Sequence, residues 1–546
     1  MLTSHDLRDF LPSNQHAQSC ETDTFFAYWI GWILHGGAST ARDSVFSLSS
    51  RLLSDPASCD FSDIRGIFGL WFYDKRKRDW IIFSDNAGLF KIYYTGFRTY
   101  ISLIDAARSD APKSAEISHE DVMEYINTGS VFGNKTLFRR ISKVRDDEVL
   151  IFSGDTTSSR IIRKSFRATH TTPERALALI MDEFSNSTIP GNLSVDLTGG
   201  LDSRVIACLL SRRGLEFETA VAGYENNPDV HIARHIASFL RRPFFWFSNP
   251  ELPVDTCLRA AFEISRSELD IVLFHRAVLH ADARRARHID TIAHGGGGEL
   301  LRDHAFVHEF PFYNRRVRNY TRMYQMRLRP MRFNKVIMSH DMKKIYESSE
   351  NYTVDKLKQW TGDTAAQTCD MIYYYGRYQE FFGATYSIYT RMGFNVFSPF
   401  LDRKVAESCI MYPPWKRVFA LLHRRILSSN CPELARFRTM DGLTGSLETK
   451  DILRDLPRHA GVQIRRLARK VSEKYVGKSA FYKVGAPAAE MPGYRTRVRK
   501  SECMKVALDV LKNENILAKD AAERDISDTH LGRIITLGLL IDAVRR

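Results

Sequence analysis

No stretch of the 546 residues approaches the roughly 20 consecutive apolar positions that a membrane-spanning helix requires. The longest early apolar run, Phe25 to Leu34, is read instead as a buried first strand, and no membrane partner is expected. The opening residues Met1 to His16 are polar and carry charges, unlike a secretory signal, so a cytoplasmic protein is expected. Eight cysteines (20, 59, 208, 257, 369, 409, 431, 503) form no Cys-x-x-Cys pair and no metal spacing. That scatter excludes a zinc cluster or a disulfide framework and predicts reduced core thiols. No internal repeat, low-complexity tract or long linker is present.

What the chain does have is enough apolar content, 44%, to bury a large core. Length alone would allow about three domains. We read two, 1–165 and 166–546, with the junction at Arg163 to Pro173. The most informative segment runs from Leu193 to Arg204: an apolar strand enters Leu197-Thr198-Gly199-Gly200-Leu201-Asp202-Ser203, and a second apolar run, Val205 to Leu210, follows at once. Paired glycines let backbone N–H groups approach an anion, and the N-terminus of the following helix adds its positive dipole end. Thr198 and Ser203 bring hydroxyls, and Asp202 can hold a divalent cation against phosphates. The turn lacks the Gly-Lys-Ser/Thr ending of the common nucleotide loop, which argues against a mononucleotide kinase.

The turn resembles the Ser-Gly-Gly-Leu-Asp-Ser pyrophosphatase loop of the asparagine synthetase family, with Thr198 replacing the first serine. Further landmarks follow in the family's order. Thr219 to Tyr224 is similar to the second strand, whose end, at Ala222, would contact adenine, and Asn227-Pro228-Asp229 looks like the helix start after it. Ile289 to Ala293 followed by His294-Gly295-Gly296-Gly297-Gly298-Glu299-Leu300 resembles a strand and acidic second loop, and Ser398-Pro399-Phe400-Leu401-Asp402 matches the Pro-Phe-Leu-Asp element. Within 1–165, Gly66 to Asp74 and Ile81 to Asp85, separated by the charged turn Lys75 to Arg78, look like hairpins of the family's glutamine-hydrolysing domain. Tyr125 to Gly129 and the chain up to Val144 are similar to its closing helix and strands.

The resemblance implies an α/β protein: an N-terminal Ntn-type αββα sandwich, glutaminase-like but degenerate, then an adenine-nucleotide α-hydrolase-like (PP-loop ATPase) synthetase domain with a parallel sheet and a helical C-terminal region. It implies nucleotide contacts from Leu197, Thr198, Gly199, Gly200, Leu201, Asp202, Ser203, Ala222, His294 and Gly295. Magnesium would be held by Asp202 and Glu299, with ATP and Mg2+ as cofactors. The implied chemistry is adenylation: a carboxylate oxygen attacks the α-phosphorus of ATP, pyrophosphate leaves, and an amine displaces AMP to form an amide.

Four departures bear on that chemistry. The family's glutaminase nucleophile is a cysteine at position 2, and here Leu2 stands there, while Cys20 comes too late and reads as a small hydrophobe. Gly295 and Gly298 stand where the family usually carries acids, leaving Glu299 as the one acid of the second loop; its other reading is a cap for the helix that follows. Asn395 replaces a glutamate that assists acyl transfer, and an amide cannot act as a base. Met440 falls on the family's lysine, with Arg438 or Lys450 as replacement cations. The segment before Ser398 carries Arg377, Glu380, Tyr386, Tyr389 and Arg391, each by itself more often a packing residue, together a source of acids, bases or phosphate contacts. His294 is similar to a histidine of lasso-peptide cyclases, or is a loop hydrogen-bonder. No catalytic residue is assigned.

The net charge is 78 − 64 = +14, with excess in Arg315 to Lys335 and in Arg458 to Lys483, which includes Arg465-Arg466 and Arg469-Lys470. A solvated basic face, an acidic or peptide substrate, and nucleic acid are the open readings, the last without a supporting motif. The tail from Lys500 to Arg546 has helical periodicity and is expected to pack on the synthetase region. β-Lactam synthetases and lasso-peptide cyclases also lack the N-terminal cysteine, so the leading expectation is an AMP-forming carbon–nitrogen ligase. It would act on a small-molecule or peptide carboxylate in specialised metabolite or peptide biosynthesis, with a partner enzyme of the same pathway. The alternative is a nucleotide-binding homologue that has lost ligation and acts as a regulator or partner.

Overall fold

The computed structural model describes residues 11–109, 116–153, 158–168, 170–248, 252–309, 312–316, 318–329, 331–476 and 493–546. Among the described residues the first third of the chain forms nine strands: β1 (Gln18–Glu21), β2 (Phe25–Leu34), β3 (Arg65–Asp74), β4 (Asp79–Ser84), β5 (Tyr93–Thr95), β6 (Arg98–Tyr100), β7 (Ser142–Lys143), β8 (Glu148–Phe152) and β9 (Ser159–Arg163). Six of them make an antiparallel sheet in the order β1-β2-β3-β4-β8-β9, and β6-β5-β7 make a smaller one. The run Phe25–Leu34 is indeed a strand, although β1 precedes it and pairs with it. β3 and β4 form the hairpin expected around the Lys75 to Arg78 turn. These strands are rich in Ile, Phe and Trp and are buried almost throughout, which favours a sheet covered on both faces.

One of those faces packs on the Ala41–Ser54 helix. The other merges with the core of the rest of the chain: Trp32 of β2 meets Phe184 edge-on at 5.3 Å, and Phe184 stacks on Phe397 at 3.7 Å. Gly31 (φ +95°) lets this contact close, because a Cβ there would lie 2.3 Å from the Ile67 carbonyl and 2.7 Å from Thr390.

The second sheet is parallel, with the order β12-β11-β10-β13-β14, where β10 is Asn192–Asp196, β11 Glu218–Ala222, β12 Phe244–Phe247, β13 Ile289–Ala293 and β14 Asn395–Phe397. The chain builds outward from β10 to β11 and β12, then returns to β10's other edge with β13. The order therefore reverses between β10 and β13. In open α/β sheets such a reversal opens a crevice at the carboxyl ends of the two strands. The Gly-rich turns Leu197–Gly200 and His294–Gly297 both leave the sheet there.

The C-terminal helices Glu502–Asn513 and Asp528–Arg545 pack so closely that a Cβ on Gly538 would lie 2.5 Å from Ala507. Glu502–Asn513 lies on the Val254–Ser265 helix, and Asp528–Arg545 on the Leu103–Ser109 and His119–Thr128 helices. The tail thus packs on helices from both the first third and the middle of the chain. The Asp528–Arg545 helix is buried on more than one side, which a single neighbour could not provide, whereas Glu502–Asn513 buries one face. Seven of the eight free cysteines are buried and Cys431 is half-buried. Among the described residues no helix is long and apolar enough to cross a membrane.

Candidate functional site

β10 ends where its apolar run meets Thr198-Gly199-Gly200, and Gly200 starts the Leu201–Arg212 helix without a side-chain cap. The first N–H groups of that helix therefore lack intrahelical acceptors and carry the positive end of its dipole. The turn is stapled from within: the Thr198 N–H donates to Ser203 Oγ at 3.0 Å, the two hydroxyls lie 3.1 Å apart, and the Gly200 N–H donates to Thr198 Oγ1 at 3.3 Å. Two supports come from outside. Asp229, in the first turn of the Pro228–Phe239 helix capped by Asn227, accepts the Gly199 N–H at 2.8 Å. Arg204, fully buried, donates to the carbonyls of Phe437 (2.6 Å), Gly199 (3.2 Å) and Arg438 (3.3 Å), which ties the turn to the 437–442 segment.

The second turn sits directly against the first. A Cβ on Gly295 would be 2.8 Å from the Ser203 backbone nitrogen, and one on Gly298 would be 2.5 Å from the Asp202 carboxyl carbon. Gly295 and Gly298 are thus the residues that let the two turns touch.

Asp202 accepts a hydrogen bond from His423 Nε2 at 2.6 Å and lies 3.7 Å from Arg302 Nη2. Burial alone would raise its pKa, but the His423 hydrogen bond and the Arg302 charge hold it below the usual carboxylate value. Glu299 has the opposite fate. It stands in the single 3-10 turn Gly298–Leu301, so no long helix follows for it to cap. Burial and the neighbouring Asp202 charge push its pKa up, and its buried Oε2 has no hydrogen-bond partner. Two adjacent carboxyl groups, one of them with an unsatisfied oxygen, beside exposed helix N–H groups fit a magnesium ion that shares its shell with phosphate oxygens. Among the described residues no group of three or more metal-ligating side chains would form an all-protein metal cage, and magnesium does not require one.

His294 is fixed by two donors on Nδ1: the Gly296 N–H at 2.8 Å and the Tyr386 hydroxyl at 2.6 Å. We therefore assign its proton to Nε2. Burial lowers its pKa, so the ring is neutral near pH 7. Tyr386 also lies 3.3 Å from Ser398 Oγ, which donates to the Gly296 carbonyl. Asp196, at the end of β10, pairs with the buried Arg284, whose guanidinium lies over Phe247 at 4.9 Å and Tyr389 at 5.6 Å. Ala222, exposed at the end of β11, opens onto the same edge of the sheet.

Several residues singled out in the sequence lie elsewhere. The Asn395 amide contacts the Asp290 carbonyl at 3.4 Å, and Asn395 pairs with Thr291, two residues short of β13's end. Lys450 is paired with Glu448 at 3.0 Å and is largely exposed. Arg377 donates to the Thr128 carbonyl, Glu380 is held by Lys143, and Arg391 by Glu268. Met440 does reach the turn, 3.3 Å from where a Gly199 Cβ would sit, but brings no charge. Leu2 lies outside the described residues, as do the side chains of Arg465, Arg466, Arg469 and Lys470. In the other basic segment Arg315 pairs with Glu309, Arg329 with Glu350, and Lys335 with Glu347 at 3.1 Å.

His423, Arg302 and Asp229 were not picked out as partners of the loop. Arg302 follows the second loop by three residues and could have been weighed; His423 sits in Leu422-His423-Arg424-Arg425, where no spacing marks it. A comparison with protein-family models finds none that matches the chain, and a comparison with curated proteins finds none either.

Proposed function

We propose that the chain is an ATP-dependent, adenylate-forming ligase of the asparagine synthetase type that joins a carboxylate to an amine without hydrolysing glutamine. The observation that carries this reading is the pair of Gly-rich turns at the β10/β13 reversal, with Asp202 of one turn facing Glu299 of the other. The fold reading accompanies it: a degenerate Ntn-type αββα sandwich over 1–165 and a PP-loop synthetase domain over 166–546.

In this reading the N–H groups at the start of the Leu201–Arg212 helix and the Thr198 and Ser203 hydroxyls receive the β- and γ-phosphates. Ala222 lies on the adenine side, and His294 and Gly295 wall the phosphates from the β13 side. Asp202 and Glu299 would hold Mg2+, which when bound neutralises charge on the departing pyrophosphate. Arg302 and His423 keep Asp202 ionised for that role. Tyr386 and Gly296 hold His294 so that Nε2–H is a donor and not a base. The carboxylate oxygen must then reach the α-phosphorus at about 3–3.5 Å. The substrate is a small-molecule or peptide carboxylate, in keeping with an excess of 14 positive charges.

A second reading, a nucleotide-binding protein that regulates a partner and no longer ligates, is favoured by one set of facts. Asn395 faces Asp290, Met440 is neutral, and Lys450 is occupied by Glu448. Nucleotide product analysis with carboxylates and amines of the neighbouring pathway separates the two. AMP and pyrophosphate support ligation, ADP refutes adenylation, and ATP binding without turnover selects the regulatory reading. Glutamate release from glutamine stays at the no-enzyme level if Leu2 offers no nucleophile.

A further inference from the structure

Arg377 and Glu380 open onto a cavity of about 370 Å³ that contains neither Gly-rich turn. The cavity lies where the His119–Thr128 helix, the Gln379–Arg391 helix and the C-terminal Asp528–Arg545 helix meet, with mainly apolar walls that include Tyr93, Tyr125, Leu273 and Phe381. A cavity of this size, with a mainly apolar surface and charged side chains set into it, has the dimensions of a small-molecule site.

Its charges are unevenly answered. Each acid on the wall is already engaged: Glu380 by Lys143 at 2.7 Å, Glu268 by Arg391 at 3.0 Å, Asp528 by Arg499 at 2.7 Å, and Asp270 by the N–H groups of Val272 and Leu273. Arg377 and Arg533 are answered less fully, with Asp270 the wall acid whose charge acts on Arg533. Each uses Nη1 to hold the last carbonyls of the His119–Thr128 helix, Arg377 on Thr128 (2.9 Å) and Arg533 on Ile126 and Asn127 (2.8 Å each). Neither forms an ion pair among the described residues, and a guanidinium has five N–H donors to place. Burial lowers both pKa values, Arg533 to about 10, and the Arg377 charge adds to the shift on Arg533. Two neighbouring, part-buried cations that have only the Asp270 charge near Arg533 to answer them leave a positive excess that an anion would offset. Arg377 is delivered by a π-helical turn, Ile372–Tyr378, an irregularity found most often at functional positions.

We propose that this cavity binds a small organic carboxylate with an apolar body, the carboxylate received by Arg377 and Arg533 and the body by the Tyr93, Tyr125 and Phe381 walls. The site is separate from the nucleotide loops and its occupancy does not depend on the ligase reading.

The test is calorimetric titration of the full chain, without nucleotide, using 4-phenylbutyrate, its neutral amide and inorganic phosphate. The acid binds at least about tenfold more tightly than the amide or phosphate, because the guanidinium pair selects charge and the walls select the body. Arg377→Met weakens the acid by about tenfold or more, and Leu273→Trp, at a half-exposed rim position, blocks it while leaving both arginines in place. Equal binding of acid and amide, equal binding of phosphate, indifference to Leu273→Trp, or no binding of the acid up to about 10 mM each overturns the proposal.

Discussion

Asp202 and His423, 221 positions apart in the chain, meet at 2.6 Å and hold the carboxylate beside the first Gly-rich turn in its ionised form. His423 is fully buried, so it orients Asp202 from within the core.

Replacing His423 with leucine removes that donor and leaves a largely enclosed carboxylate short of a partner. The expected loss of stability is about 1–3 kcal/mol at pH 7. Asp202 has a folded pKa below its unfolded value, so its contribution is present above the ordinary carboxylate range and is lost as pH falls through the folded value. Urea unfolding of both proteins checks this: the difference should be largest near neutrality and shrink in acid. A pH-independent difference would assign His423 to packing alone.

Acid sensitivity follows from histidines that folding keeps neutral. Burial lowers His280 from 6.5 to about 4 and His530 to about 3, and His294 is lowered as well. The unfolded chain takes up these protons first, so stability is level above about pH 6.5 and falls as pH drops toward the folded values. Denaturant midpoints should therefore decrease between pH 7 and pH 5. His530→Gln should flatten the slope, since its Nε2 is buried without a partner.

The sheet and its turns were legible because the signals are local. The apolar run before Thr198 and the one before His294 became β10 and β13, and the glycines after each became the touching loops. Asn227-Pro228 gave the helix start that was read from it. What could not be read are contacts across long separations, such as His423 to Asp202 or Arg533 to Ile126, for which no residue spacing exists. The tail's second docking face was missed for the same reason: periodicity identifies an apolar stripe but not its neighbours. The resemblance put both Met440 and Asn395 at catalytic positions; Met440 does reach the turn, but Asn395 does not, because β14 puts it two residues below the sheet edge.

Glu299→Gln tests the division of labour between the two carboxyl groups. It keeps the shape, removes the charge that Asp202 repels, and should leave stability equal or slightly higher. Turnover should fall by about tenfold or more if Glu299 helps hold Mg2+. Asn395→Asp, at the Asp290 carbonyl, should change turnover by less than about twofold, because that position takes no part in proton transfer. The reverse ranking would move the chemistry away from the second loop.

Calorimetric titration of Mg-ATP against the wild type and Asp202→Ala tests the central claim most directly, because it requires no knowledge of the substrate. The account predicts saturable one-site binding to the wild type and affinity weakened by about tenfold or more in Asp202→Ala, with the fold intact by circular dichroism. Equal affinity in the two proteins, or no binding of Mg-ATP by the wild type, would contradict it.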